Sequence, residues 1–262
     1  MKHARILTCI LLFALSCLLC VGIAAENGGF APGSTDVFFV SNTAGADSNA
    51  GTSAAAPLKT LGKAYSKMTK GGTLVICGEV TIPSAFTPVD AGGMVILTSV
   101  YGGKDYRDSG ARLNIGGNMG FANATGFERM NLRITASELV FSGRHHSLYF
   151  GSDLKVTNGT GSSDFTYPTL VGGYNNPSTL SDASSAADYT LCIRSGTWHD
   201  VMGGNRRTVK TSAFGKLSGD VTVRISGGTF NGIVSASGMN VHTGRLYLGT
   251  ADTPVFKDMV YG

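Results

Sequence analysis

A ten-residue segment occurs twice in the chain, without gaps, at positions 32 residues apart: Tyr189–Trp198 aligns with Val221–Phe230. Four positions are identical in the two copies, namely Thr190/Thr222, Ile193/Ile225, Gly196/Gly228 and Thr197/Thr229. Apolar and polar residues alternate with the period of a β-strand, and the glycine marks a turn. A unit this short cannot bury its own apolar face, so its repetition predicts stacked strands.

The rest of the chain has the composition of a protein built from short strands and many turns. Glycine accounts for 37 of 262 residues, and charged residues for only 15%. Continuous apolar runs such as Met94–Thr98 and Leu148–Phe150 are typical of parallel strands that are buried on both faces. We therefore predict an all-β right-handed parallel β-helix, with a β-sandwich as the alternative. The repeat extends to Val201/Ile233, and its insertion, Gly203–Gly219, is predicted to be a surface loop.

The first 25 residues have the pattern of a secretory signal peptide. A basic start, Met1–Arg5, precedes the apolar run Ile6–Ile23 and two small residues, Ala24 and Ala25. A retained membrane anchor and a lipoprotein are the alternatives. Cleavage predicts a secreted or cell-surface protein with no membrane span, in which residues 26–36 form a flexible leader.

Removal of the signal peptide changes both the charge and the cysteine content. Lys2 and Arg5 are lost, so 19 basic residues face 17 acidic ones and the net charge is about +2. That value gives no reason to expect a nucleic-acid partner. Only Cys77 and Cys192 remain, and we predict that they are unpaired.

One segment has helical periodicity. Pro57 suits a first helical turn, and the apolar residues that follow recur along one face as far as Met68. Gly71 and Gly72 end the pattern, so a helix is predicted over Pro57–Lys70.

The order of features in residues 37–83 resembles a known superfamily. A strand (Val37–Val40), a loop (Asp47–Thr52), the helix and a strand (Thr73–Ile76) follow one another. This order is similar to the opening of secreted bacterial β-helix proteins of the pectate-lyase-like superfamily. The resemblance implies a β-helix domain over 37–262, whose N-terminal region, 37–83, includes an amphipathic helix that caps the first coil.

The loop before this helix contains the candidate metal ligands. Asp47 and Asn49 carry hard oxygen atoms of the kind that bind Ca²⁺. The same residues also stabilise loops by hydrogen bonding to nearby backbone. Calcium is thus the one cofactor that the sequence leaves open.

Two clusters are candidates for catalysis on an acidic polysaccharide. Lys104, Asp105 and Arg107 could hold a uronate carboxylate and remove a proton, or form a solvated turn. Arg144 and His145 could serve proton transfer or bind an anionic sugar, or lie in a turn. Convergence of Asp105 and Asp153 with Arg133 or Arg144 in one groove would favour an enzyme. Trp198 could stack on a sugar ring, although its place in the repeat favours the core.

No motif in the chain defines a reaction. Gly-His-Gly, Asn-Thr-Asp, a nucleophile elbow, a His-x-x-x-His pair and a P-loop are all missing. The expected function is therefore an extracellular module that binds glycans or mediates adhesion without catalysis. A polysaccharide lyase or glycoside hydrolase is the alternative, and a structural spacer is the third possibility. The residues before Gly262 contain no polar cap, which suggests part of a larger surface protein.

Overall fold

The computed structural model describes residues 30–176, 184–206, 217–238 and 244–262. The chain divides after Ala31 into two units, and the architecture below is that of the second unit, Pro32–Gly262. The predicted signal peptide, residues 1–25, lies outside the described residues.

Strands are the main regular elements of the second unit. One short α-helix and one 3₁₀ turn (Arg107–Ser109) are the only helical elements that the described residues contain. The elements in chain order are β1 (Val37–Val40), α1 (Leu61–Lys67), β2 (Gly72–Ile76), β3 (Glu79–Ile82), β4 (Val95–Thr98), β5 (Val100–Tyr101), β6 (Lys104–Asp105), β7 (Arg112–Ile115), β8 (Met119–Gly120), β9 (Thr125–Glu128), β10 (Met130–Ile134), β11 (Val140–Ser142), β12 (Leu148–Phe150), β13 (Leu154–Asn158), β14 (Thr169–Val171), β15 (Tyr189–Ile193), β16 (Thr197–Trp198), β17 (Val201–Met202), β18 (Val221–Phe230), β19 (Val234–Ser235), β20 (Gly244–Phe256) and β21 (Val260–Tyr261).

The strands form three parallel sheets. Sheet 1 has the order β1-β2-β4-β9-β12-β15-β18, with β16 and β20 also paired to β18. Sheet 2 is β3-β7-β10-β13, and sheet 3 is β8-β11-β14-β17-β19-β21. Only the small β5-β6 ribbon is antiparallel among the described strands. The predicted all-β, parallel arrangement is confirmed, and the β-sandwich alternative is wrong because sandwiches consist of antiparallel sheets.

In the middle of the unit the chain visits the three sheets in a fixed order. From β9 to β14 it passes through sheets 1, 2 and 3 twice in succession. Thr125 pairs with Leu148, 23 positions later, and Thr73 pairs with Ile96 at the same separation. Longer separations, such as 43 positions between Leu148 and its partner Leu191, contain loops inserted between strands.

The sequence repeat corresponds to neighbouring strands in register. Leu191 pairs with Val223 and Trp198 with Phe230, as the 32-residue alignment predicts. The alignment then fails by one residue, because Val201 pairs with Val234 and not with Ile233. The second copy has one more residue in the turn after its aromatic residue. Most of the predicted loop Gly203–Gly219 lies outside the described residues.

Aromatic side chains stack through the centre of the unit. Phe127 and Phe150 lie parallel with ring centroids 5.4 Å apart, and Phe150 is 4.6 Å from Trp198. All three side chains are fully buried. Phe230 continues the series as the repeat partner of Trp198. Trp198 is therefore a core residue and cannot stack on a sugar from solvent.

The predicted helix over Pro57–Lys70 is wrong in length. The observed helix, α1, has seven residues and begins after Thr60, whose hydroxyl accepts a backbone N–H bond from the first turn. Leu58 is not part of the helix, because it forms an isolated parallel β-bridge with Val40 at the end of β1. Met68 has extended backbone, which ends the helix early. A capping helix of the predicted extent is not present in the described part of the chain.

Two further predictions concern the leader and the cysteines. The described end of the predicted leader is part of the fold, because Gly33 N donates to the Met94 carbonyl and Ser34 Oγ to the Gly71 carbonyl. The prediction that Cys77 and Cys192 are unpaired is confirmed.

Candidate functional site

The candidate calcium ligands, Asp47 and Asn49, both make hydrogen bonds that hold their loop. Asp47 Oδ1 accepts from the backbone N–H groups of Lys59 (3.0 Å) and Thr60 (2.9 Å), and Oδ2 accepts from the Thr60 hydroxyl. Asn49 Nδ2 donates to the Pro57 carbonyl. Burial alone would raise the pKa of Asp47, but these bonds outweigh it and the pKa is lowered.

This arrangement is that of a side-chain-stabilised loop. Three N–H and O–H donors point at the oxygen atoms of Asp47, which is the bonding pattern of a carboxylate that stabilises a loop. No group of three or more His, Cys, Asp or Glu side chains suited to a metal occurs in the part of the chain that the structure describes.

The cluster Lys104, Asp105 and Arg107 lies on the β5-β6 ribbon and the turn that follows it. Arg107 Nε donates to both carboxylate oxygens of Asp105, at 2.9 and 3.0 Å. The Lys104 ammonium lies 4.7 Å from the centre of the Tyr106 ring. The hydrogen bonds from Arg107 lower the pKa of Asp105, which makes this carboxylate a weaker base.

The second carboxylate in this cluster comes from a distant part of the chain. Arg107 Nη1 lies 2.6 Å from Asp153 Oδ2 in the turn between β12 and β13. Asp105 and Asp153 therefore converge on Arg107 and not on Arg133 or Arg144, so the combination that would favour an enzyme does not form. Both carboxylates pair with one guanidinium, so the cluster ties the ribbon to the turn between β12 and β13.

Replacement of Arg107 by Gln should destabilise the fold in a pH-dependent manner. The variant leaves Asp105 and Asp153 without their partner, and we expect a loss of about 2 kcal/mol in the free energy of unfolding at pH 7. The pKa of Asp105 is lower in the folded state than in the unfolded state, where it is about 3.9. The ionised carboxylate therefore stabilises the folded protein above this pH, and the stabilisation is lost as the pH falls. The difference in the free energy of unfolding between wild type and variant, measured by urea unfolding, should become smaller in acid. Arg133→Gln is the control, and a difference that is independent of pH would contradict the assignment.

Arg144 and His145 form the centre of an unusual turn after β11. Both have positive φ angles, 50° and 67°, which side chains other than glycine rarely adopt. The turn is held because Arg144 N donates to the Gly173 carbonyl and His145 N to the Gly172 carbonyl. Such strain costs about 1–3 kcal/mol per residue and is often found at functional sites.

The two side chains have different environments. His145 is buried, and its Nε2 lies 3.0 Å from Oδ1 of Asn205. Its ring also packs against Tyr174 and Tyr189. One ring nitrogen of His145 is thus bonded inside the protein, which favours a role in holding the turn.

The Arg144 side chain lies along a groove on sheet 3. Its guanidinium is 4.8 Å from the centre of the Tyr174 ring, and Nη2 donates to the Tyr174 hydroxyl at 3.2 Å. Gly120 permits this position, since a Cβ there would lie 2.7 Å from Thr87 Oγ1 and 3.2 Å from Arg144 Cδ. The side chain thus crosses β8 with its charged end beside an aromatic ring.

The groove, of about 330 Å³, is lined mainly by uncharged polar groups and small apolar side chains. We call it the Arg144 groove. Amide side chains come from Asn118, Asn175 and Asn176, and hydroxyl groups from Thr87 and Tyr174. One oxygen, Oδ1 of Asn175, is buried without a hydrogen-bond partner in the described structure.

Arg144 is the only charged side chain that lines the described groove. None of the ion pairs found among the described residues includes it. The groove therefore has one positive charge, an aromatic ring and several amides, but no carboxylate. These groups can bind a polar ligand. The described groove has no carboxylate or histidine side chain that could act as a general base.

The sequence identified only one member of this site. Arg144 was a candidate because of its charge, whereas Tyr174 and the asparagines come from other coils and carry no local motif. His199 and Asp200, between β16 and β17, have Nε2 and Oδ1 3.9 Å apart, and Asp200 Oδ1 accepts the Ile233 N–H.

Comparisons with known proteins add no assignment. No protein-family model, curated protein or solved structure matches the chain. The described residues contain no helix that is long and apolar enough to cross a membrane.

Proposed function

We propose that the three-sheet unit is a right-handed parallel β-helix related to the pectate-lyase-like superfamily. The support is the repeated passage of the chain through sheets 1, 2 and 3, with a shortest separation of 23 residues between paired positions of sheet 1. The buried aromatic stack from Phe127 to Phe230 is the interior that such a coil requires.

We further propose that the protein is a secreted or cell-surface module. The apolar N-terminal segment followed by Ala24 and Ala25 supports export. The low charge and the many short loops agree with a scaffold that presents loops and a long face to its surroundings.

The function that the geometry favours is glycan binding in the Arg144 groove. The observation that carries this proposal is the guanidinium of Arg144 stacked on Tyr174 beside three asparagines. A sugar has apolar ring faces that pack on an aromatic side chain, and hydroxyl groups that bond to amides. Arg144, without a carboxylate partner in the described structure, adds a donor for an oxygen-rich or anionic substituent.

The same residues favour binding over catalysis. A lyase needs a base near the α-proton of a uronate, and a glycosidase needs two carboxyl groups. The residues that line the described groove provide neither. Adhesion through surface glycans is therefore the main proposal, and lyase activity is a result that the experiment below would reveal.

Replacement of Arg144 by Gln or of Tyr174 by Ala should weaken glycan binding. The purified protein is screened on a glycan array, and affinities for the ligands found are measured by calorimetry. We expect either variant to raise the Kd at least about tenfold, because it removes the stacked pair. Absorbance of unsaturated product in the same mixtures tests for a lyase.

Arg133→Gln is the matched control. Arg133 lies on sheet 2, away from the groove, and donates to the Gly159 carbonyl. Its substitution makes the same change in net charge and should leave the Kd unchanged. Equal losses for Arg133→Gln and Arg144→Gln would indicate nonspecific charge attraction and would overturn the groove assignment, as would unsaturated product formed by the wild type.

A further inference from the structure

Three neighbouring turns place His145, Tyr174 and Asn205 in one column that reaches the Arg144 groove. Each of these residues lies three positions after the last residue of a strand of sheet 3, namely β11, β14 and β17. The ends of these three strands are paired in register. Tyr174 lines the groove, whereas His145 and Asn205 are buried, with 9% and 1% of their surface exposed. The column therefore connects the interior of the protein to the groove.

The side-chain oxygen of Asn205 accepts two hydrogen bonds in this column. Tyr174 N donates to Asn205 Oδ1 at 2.8 Å, and His145 Nε2 lies 3.0 Å from the same atom. A backbone N–H can only donate, so the atom that faces it is the amide oxygen and not the amide nitrogen. This oxygen has two lone pairs, one for each donor, so His145 must carry a proton on Nε2.

These two bonds reach both members of the stacked pair in the groove. The backbone of Tyr174 is held by Asn205 directly. Arg144 is held through the next residue, His145, whose ring also packs 5.2 Å from the ring of Tyr174. The Arg144 guanidinium then lies 4.8 Å from the centre of the Tyr174 ring. One buried oxygen thus bonds to both segments that carry the pair.

Two glycines leave the space that Asn205 fills. A Cβ on Gly173 would lie 2.1 Å from Asn205 Oδ1, and a Cβ on Gly238 would lie 2.7 Å from the Asn205 carbonyl oxygen. Neither glycine has a left-handed φ, so backbone conformation does not require glycine at these positions. The close approach of Asn205 does require it, because any side chain would displace the amide.

We infer that Asn205 is a positioning residue for the Arg144 groove, whose amide oxygen fixes Arg144 and Tyr174 in their stacked geometry. Asn205 is not among the residues that line the described groove, and it acts through Tyr174 and His145. The expected effect on affinity rests on the proposed binding of glycans in this groove. The effect on the stacked pair does not depend on a ligand.

Nuclear magnetic resonance of the purified protein without ligand tests the position of the pair. In the wild type we expect slow solvent exchange of the Tyr174 amide, a proton on His145 Nε2, and a ring-current shift of the Arg144 side-chain protons. Asn205→Ala should speed the exchange of the Tyr174 amide about tenfold, as expected for one lost hydrogen bond, and reduce the ring-current shift. Asn205→Asp keeps an acceptor oxygen and should restore both signals.

His145→Asn is a second variant that removes only one of the two bonds. Asparagine tolerates the positive φ at this position, so the turn should form. We expect a reduced ring-current shift of Arg144, with the Tyr174 amide still protected by Asn205. Loss of protection equal to that in Asn205→Ala would show that the two bonds do not act separately and would contradict the inference.

Glycan affinity, measured by calorimetry, tests the consequence for binding. Asn205→Ala should raise the Kd about tenfold, and Asn205→Asp should remain close to the wild type. Asn114→Ala is the control, because Asn114 is a buried asparagine on sheet 2 that bonds to Glu79 and Thr81. It should lower stability but leave both the Kd and the exchange of the Tyr174 amide unchanged.

The outcomes for the pair and for the ligand are separate. Rapid exchange of the Tyr174 amide in the wild type, a His145 proton on Nδ1, or an Asn205→Ala protein with wild-type exchange and Kd would overturn the inference. A wild type that binds no glycan but shows the expected changes in exchange and ring-current shift would refute the proposed function and support the role of Asn205 in fixing the pair.

Discussion

Replacement of Phe150 by Ala should lower the free energy of unfolding by about 3–5 kcal/mol. Phe150 is fully buried and contacts aromatic rings of two neighbouring coils, with Phe127 at 5.4 Å and Trp198 at 4.6 Å between centroids. Removal of the ring leaves a cavity in the centre of the stack. Neighbouring backbone is held by the sheets on both sides and cannot move in to fill it.

The measurement can use a reporter that the protein already contains. Trp198 is the only tryptophan in the chain, and its ring touches that of Phe150. Urea unfolding followed by its fluorescence and by circular dichroism should give the same midpoint. Phe150→Leu retains most of the side-chain volume, so its free energy of unfolding should fall by less than half as much as that of Phe150→Ala. A loss below about 1 kcal/mol for Phe150→Ala would contradict the packing described here.

Replacement of Gly71 by Ala should be comparably destabilising, by about 3–5 kcal/mol. Gly71 has a φ of 73°, and a Cβ at this position would lie 2.2 Å from the Met94 carbonyl oxygen in the adjacent coil. The variant therefore combines a strained backbone with an overlap that only a shift between coils can relieve.

Gly110→Ala separates these two effects. Gly110 has a φ of 85°, but no atom lies within 4 Å of the position that its Cβ would occupy. We therefore expect Gly110→Ala to lower the free energy of unfolding only by the cost of the strained backbone, about 1–2 kcal/mol. Thermal and urea unfolding of both variants check the difference. Equal losses would show that the approach of Gly71 to the next coil is not important for stability.

The repeat made much of sheet 1 predictable from the sequence. The alignment of Tyr189–Trp198 with Val221–Phe230 gives the observed register because stacked strands must present the same face to the core. It fails after Phe230, where a single extra residue in a turn moves Val234 into the place expected for Ile233. Turn length is a local choice that apolar periodicity does not determine.

The length of the helix and the residues of the site were harder to predict from the sequence. Pro57 and Leu58 have residue types that suit a first helical turn, but pairing with β1 draws Leu58 into extended backbone. Arg144 could be identified by its charge, whereas the backbone strain at Arg144 and the ring of Tyr174 depend on contacts between coils 30 residues apart. No pattern within one coil indicates which residues of another will face it.

The pairing distances in sheet 1 have a consequence for how the chain folds. Each strand there pairs with strands of the adjacent coils, and these lie between 23 and 43 positions away. The entropic cost of closing each loop is therefore nearly the same along the chain. Folding can begin in the coils around Phe150 and spread outward one coil at a time. A damaging substitution in the coils around Phe150 should therefore mainly slow folding, whereas one of equal cost in β1 or β20 should mainly speed unfolding.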